Sequence, residues 1–215
     1  LVAAAIAHAD AGQPEEALAI AEDIESDRYR AVALSHIGIA QVKAGDGAGA
    51  RETVTKASRA AETIKFPYAR AFALSRIAIA FAEIAKATDP RAFEDAVETA
   101  RLIKDDQLRA HVLWTIWAER NRLGDEAGAR RTEALAHEAS AAIKSRLSRV
   151  WMFGDISSKH VVAGEPDHAR TAFLNALEVA QGVDNAWARA RALSKLASTL
   201  ADLDRPGQEA VVPAK

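Results

Sequence analysis

Apolar residues return to the same register along this chain at intervals of about 40 residues, and such internal repetition governs every other reading. Five segments align on an arginine: Arg30-Ala-Val-Ala-Leu-Ser-His-Ile37, Arg70-Ala-Phe-Ala-Leu-Ser-Arg-Ile77, Arg109-Ala-His-Val-Leu-Trp-Thr-Ile116, Arg149-Val-Trp-Met-Phe-Gly-Asp-Ile156 and Arg189-Ala-Arg-Ala-Leu-Ser-Lys-Leu196. Successive arginines are 40, 39, 40 and 40 residues apart. In each segment the arginine, the Leu or Phe four positions on and the Ile or Leu seven positions on fall on one helical face. This predicts an amphipathic helix A with that face buried. Six residues before each arginine stands an aliphatic residue, Ile24, Ile64, Ile103, Ile143 or Val183, so the register also crosses the preceding loop.

Eight residues beyond Ile37, Ile116 and Ile156 come Gly45-Asp46, Gly124-Asp125 and Gly164-Glu165, and Gly12-Gln13-Pro14 is the same turn in an earlier, partial copy. A second helix, B, follows each turn, with Ala50, Val54 and Ala57, then Ala129 and Ala136, then Ala169, Phe173 and Ala176 on its apolar face. Pro166 and the acidic residues after the glycines suit the first turn of that helix. In the Arg70 repeat, Ala85-Lys86-Ala87-Thr88-Asp89-Pro90 replaces the glycine turn about three residues late, which predicts a longer helix A or wider turn and a shorter helix B. One position past the Ile/Leu, the small residues Gly38, Ala78, Ser157 and Ala197 would let a neighbouring helix come close; Trp117 is the exception and must widen the approach or turn its ring into a gap.

Composition agrees with an all-α chain. Alanine supplies 51 of 215 residues, and with few β-branched and aromatic residues a barrel or sandwich is disfavoured. Each two-helix unit is too small to bury its own apolar face and must stack on its neighbours. With Leu34, Ile37 and Gly38 in helix A, the Gly45-Asp46 turn, and Ala50, Val54 and Ala57 in helix B, the pattern resembles the tetratricopeptide repeat family over residues 1–203. The unit is longer than the roughly 34 residues of that family. The resemblance implies a right-handed α-solenoid of antiparallel helix pairs, whose concave face, lined by helix A, binds peptides or protein segments. The expected organisation is one solenoid over 1–203: a partial first repeat, four two-helix repeats and a C-terminal capping helix from about Arg189, then a disordered tail over 204–215.

Two rows of helix A would line that groove: Val32, Phe72, His111, Trp151 and Arg191 two positions after the arginines, and Ser35, Ser75, Trp114, Gly154 and Ser194 five positions after. The candidate peptide anchors are therefore Phe72, His111, Trp114, Trp151 and Arg191. The other reading, that these aromatics fill gaps between alanine-rich helices, stays open at this point. For the recurrent arginines a ladder for an anionic ligand is less favoured than a structural role, the stem lying on apolar surface while the head group donates to the carbonyls ending the previous helix.

No catalytic constellation, cofactor loop or cysteine is present, so a non-enzymatic scaffold is expected, with no cofactor. Among the histidines, His160 and His168 flank the Gly164 turn but lack a third ligand in the sequence, and no metal site is expected. Arg120, Arg122, Arg130, Arg131, Lys144, Arg146 and Arg149 make one region basic, yet Glu119, Asp125, Glu126 and Glu133 interrupt it, and no nucleic-acid partner is expected. No apolar run approaches a membrane span. The expected partner is a protein or peptide; the alternative is a small-molecule or peptide ligand held at the central aromatics within a larger regulatory or transport system.

Net charge is −2 overall but −6 over residues 1–29. Weak head-to-tail self-association is one outcome this asymmetry allows. Leu1, with no preceding methionine, is read as the start of a fragment or processed form cut inside a helix, with further repeats upstream. The Ala7-His8-Ala9 stretch mimics a signal cleavage site but has no basic segment before it. The cytoplasm is favoured over the periplasm, and neither is fixed.

Overall fold

The computed structural model describes residues 1–204; the expected tail, from 205 on, lies outside the described residues. Within them the chain is all-helical, with no strand: α1 (Val2–Asp10), α2 (Pro14–Glu22), α3 (Asp27–Lys43), α4 (Gly47–Glu62), α5 (Pro67–Ala87), α6 (Ala92–Arg101), α7 (Asp106–Arg122), α8 (Glu126–Ala142), α9 (Arg146–Val162), α10 (Pro166–Gln181) and α11 (Ala186–Leu203). The helices gather into two compact units, Leu1–Ala139 and Ser140 onward, with the boundary inside α8.

In the first unit each of α1, α3 and α5 packs on the helix after it and also on the next odd-numbered helix, α3, α5 and α7 in turn. In the second unit α9 packs on both α10 and α11, and α10 on α11. The displaced turn has the expected consequence in helix length: α5 runs for 21 residues where α3, α7 and α9 run for 17, and α6 is only 10 residues long.

Four turns share one backbone device. Gly12, Gly45, Gly124 and Gly164 have φ of 76°, 87°, 76° and 75°, a left-handed conformation that glycine adopts without a Cβ penalty. In each, the glycine N–H donates to the carbonyl three residues back, of Ala9, Val42, Asn121 or Val161. The next N–H donates to the carbonyl five residues back, of His8, Gln41, Arg120 or His160. This is the Schellman pattern, which satisfies carbonyls that the helix end leaves unpaired. Helix starts are satisfied as well: Asp46, Asp105, Asp125, Ser145 and Asn185 each accept a backbone N–H three residues on.

Burial follows the register closely. Ile24, Ile64, Ile103, Ile143 and Val183 are all buried, as are Ile37, Ile77, Ile116, Ile156 and Leu196 seven positions after each arginine. Alanine fills the space between them, which brings helices close. A Cβ on Gly38 would lie 2.5 Å from Val54 Cγ2 and 3.4 Å from the Ala50 carbonyl oxygen, so α3 and α4 touch backbone to side chain there. At the matching place in the second unit, Ser157 Oγ donates to the Ala169 carbonyl at 2.9 Å. One expectation fails on the face four positions after the arginine. Leu34, Leu74 and Leu113 are buried, but Leu193 is 52% exposed. Among the described residues no helix follows α11 to cover it, and Leu200 is exposed on the same helix.

Candidate functional site

Three of the five recurrent arginines are helix caps. Arg30 Nη1, Arg109 Nη1 and Arg189 Nε donate to the carbonyls of Ile24, Ile103 and Val183 at 2.9, 3.0 and 2.8 Å, each six residues back. Arg30 and Arg109 are steadied further by Asp27 and Asp106. Arg149 departs from the set: its Nε is buried with no hydrogen-bond partner, and its side chain lines a cleft of about 490 Å³ with Arg146, Phe153, Asn175 and Glu178.

The two proposed groove rows have different fates. Two positions after the arginine, Phe72, His111, Trp151 and Arg191 are exposed and Val32 is half-buried. Five positions after, Ser35, Ser75, Trp114 and Gly154 are buried, and of that row only Ser194 is exposed. Trp114 is thus a core residue and cannot anchor a ligand in a groove. Its ring meets Trp117 edge to face at 5.3 Å and His137 at 4.9 Å. The physical reason is that this row turns into its neighbours: Trp114 meets His137 of α8, and in the second unit the row faces the next odd-numbered helix. A Cβ at Gly154 of α9 would come within 2.6 Å of Lys195 Cε and 3.0 Å of Thr199 Oγ1, both on α11. Trp117 is 2% exposed, so its ring is taken into the interior.

Within the second unit the structure brings Trp151 of α9 and Arg191 of α11 together, and adds a residue that the sequence reading missed. The Arg191 guanidinium lies 5.8 Å from the Trp151 ring centroid and 4.9 Å from that of Trp187. Lys195 Nζ lies 5.7 Å from Trp151 and is hydrogen-bonded to Asp155 Oδ1 at 2.6 Å. Trp151 is 39% and Trp187 65% exposed, so two indole faces and a cation form one solvent-facing surface. Trp187 stands four residues before Arg191 on the same helical face, and that spacing is the signal which could have found it. The same spacing pairs exposed Tyr68 with Phe72 on α5 in the first unit.

The basic region around Gly124 is largely neutralised. Arg120, only 2% exposed, pairs with Glu94 at 2.9 Å and Asp125 at 3.0 Å and stacks over Phe93. Arg122, Arg130 and Arg131 pair with Glu119, Glu126 and Glu94. The hydrogen bond from Arg120, aided by the charges of Arg120 and Arg131, holds the Glu94 carboxyl below its ordinary value, against the opposing effect of burial. No helix among the described residues is long and apolar enough to cross a membrane. Compared with protein-family models, with curated proteins and with solved structures, the chain matches none.

Proposed function

We propose that this chain is a non-enzymatic helical-repeat scaffold that binds a protein or peptide segment through the outward row of its A helices. On this reading each compact unit is a stretch of right-handed α-solenoid built from antiparallel helix pairs, and the family resemblance is to tetratricopeptide repeats. Three observations support the architecture: the 39- to 40-residue register, the arginine cap recurring at Arg30, Arg109 and Arg189, and packing of each odd-numbered helix on the next odd-numbered one within a unit. Within each unit, close contact among the A helices leaves the B side more open, which would curve that unit with helix A inside.

The single observation that carries the binding role is the exposed stack of Trp151, Arg191 and Trp187. Large rigid aromatics lose little conformational freedom on binding and dominate the energetics of interfaces. An apolar side chain of the partner would lie on an indole face while a neighbouring carboxylate meets Arg191. Phe72 and Tyr68 would serve the first unit in the same way. The alternative reading, a small-molecule or peptide ligand at the central aromatics, counted Trp114 among them, and its burial removes that one anchor.

Selection of a displayed random-peptide library on the wild-type chain, followed by affinity measurement on Trp151→Ala, Trp187→Ala and Arg191→Ala, tests the proposal. Hot-spot truncation costs about 2 kcal/mol or more, roughly 30-fold in affinity. Enriched peptides that bind all three variants as tightly as the wild type would overturn it.

A further inference from the structure

The four glycine turns carry a second recurrent feature, made by side chains. The residue four before the glycine pairs with the residue just after it: His8 Nδ1 with Gln13 Oε1 at 2.8 Å, Gln41 Nε2 with Asp46 Oδ2 at 3.4 Å, Arg120 Nη1 with Asp125 Oδ2 at 3.0 Å, and His160 Nδ1 with Glu165 Oε2 at 2.6 Å. A donor on the last turn of one helix thus clasps an acceptor at the start of the next. Three residues past the acceptor the side chain is Glu16, Gly49 or Gly128 in the first three turns, and His168 in the fourth. That single difference changes the chemistry of the last turn.

There His168 Nδ1 lies 3.5 Å from the same Glu165 Oε2, and the two imidazole rings meet at 5.3 Å between centroids. The three potential ligand atoms, two imidazole nitrogens and one carboxylate oxygen, all lie within 4.8 Å of one another. Around a tetrahedral ion with bonds of about 2.1 Å, ligand atoms stand about 3.4 Å apart, inside the span found here. The surroundings differ usefully for the three. His160 is fixed, with its side chain 3% exposed, Glu165 is 30% exposed, and His168 is 64% exposed and able to close on an ion.

We propose that His160, Glu165 and His168 form a divalent transition-metal site across the α9–α10 turn, with Zn²⁺ the best match. Two nitrogens and one oxygen suit that ion, whereas Ca²⁺ and Mg²⁺ call for oxygen ligands. The sequence supplied the two histidines eight positions apart but concealed the third ligand, because the Glu165 side chain comes between them only after the Gly164 turn reverses the chain. Binding replaces the His160–Glu165 hydrogen bond with two metal bonds, the imidazole proton moving from Nδ1 to Nε2 so that Nδ1 can ligate the ion. Three protein ligands leave a fourth position for water or for a partner's side chain. The bound ion ties the end of α9 to the start of α10.

The other turns provide conservative controls. Glu165→Gln installs the residue that closes the first turn as Gln13, and His168→Ala shortens an exposed side chain, so both preserve the clasp or the fold while removing a ligand. The tag-free chain is titrated with Co²⁺, read by its visible d–d absorption, and with Zn²⁺, read by calorimetry and by the thermal midpoint. The expected result is one saturable ion per chain and a rise in midpoint with Zn²⁺, because a ligand of the folded state stabilises it. Each variant should bind about 10-fold or more weakly, since even outer-shell partners of a metal cost about 10–100-fold, while its metal-free helicity and melt match the wild type. Absence of a saturable Co²⁺ band, or unchanged affinity in both variants, would overturn the proposal.

Discussion

Replacing Trp117 with alanine separates a core role for the central tryptophans from a groove role more sharply than any other substitution. The ring is 2% exposed and meets Trp114 edge to face at 5.3 Å. A buried tryptophan removes about 150–250 Å² from water, and at about 25 cal/mol per Å² this amounts to about 4–6 kcal/mol. That figure is an upper bound, because unfolded chains already bury part of such surface. Alanine also retains the Cβ. The loss of the edge contact adds about 0.5–1.5 kcal/mol, and the void left among closely packed alanines cannot collapse fully. The expected destabilisation is about 3–5 kcal/mol. Guanidinium unfolding followed by tryptophan emission suits the measurement, because Trp114 and Trp117 are buried in the first unit whereas Trp151 and Trp187 are already partly exposed in the second. The spectral change therefore reports mainly on the first unit. Trp187→Ala is the matched control, with an expected change within about 0.5 kcal/mol. A Trp117→Ala shift below about 1 kcal/mol, or one equal to the control, would refute the packing argument and return Trp117 to the surface.

Gly38→Ala should destabilise the first unit by about 1–3 kcal/mol as the new Cβ drives α3 from Val54, despite alanine's better helix propensity; a double-mutant cycle with Val54→Ala should recover part of the loss, and a thermal melt with no change would count against close α3–α4 contact. For Glu94 the folded carboxyl titrates below its ordinary value, so its contribution is fully present above the unfolded value and is lost as pH falls through the lowered folded one. The stability gap between wild type and Glu94→Gln should therefore be constant near neutrality and vanish under acid; since the Glu94 side chain is 62% exposed, it should stay within about 1 kcal/mol. Urea midpoints measured from neutral pH to below pH 4 check this, and a gap that widens under acid would contradict the sign.

How much of this could be read from the sequence depends on which contacts lie within one repeat and which lie between neighbours. The aliphatic residue six before each arginine, the arginine itself and the glycine turn are local, and they emerge as buried rows, a recurrent cap and a shared backbone turn. The groove rows are not local. Positions two and five after the arginine differ by only about 60° around a helix of 3.6 residues per turn, so periodicity assigns both to one side. The neighbours of each helix draw the line between them: α9 on α11 leaves Trp151 outside, while His137 of α8 meets Trp114 within. A single helix cannot reveal that line. Trp187 escaped for a different reason, since it precedes the aligned segment and only its spacing of four from Arg191 ties it to the row.

The clasps show why residue identity is a poor guide to this chain while donor and acceptor character is a good one. His8 with Gln13, Gln41 with Asp46, Arg120 with Asp125 and His160 with Glu165 share no common pair of side chains, yet each sets a nitrogen on the last turn of one helix against an oxygen at the start of the next. The Schellman bonds beneath them set the separation, so the turn constrains chemistry rather than size or charge. A search for like residues at 40-residue intervals passes over these positions, and a search for metal spacing sees His160 and His168 without the carboxylate between them. Reading each turn as an obligate donor–acceptor pair exposes both the common structural role and the one place where an added histidine makes that pair into three converging ligands.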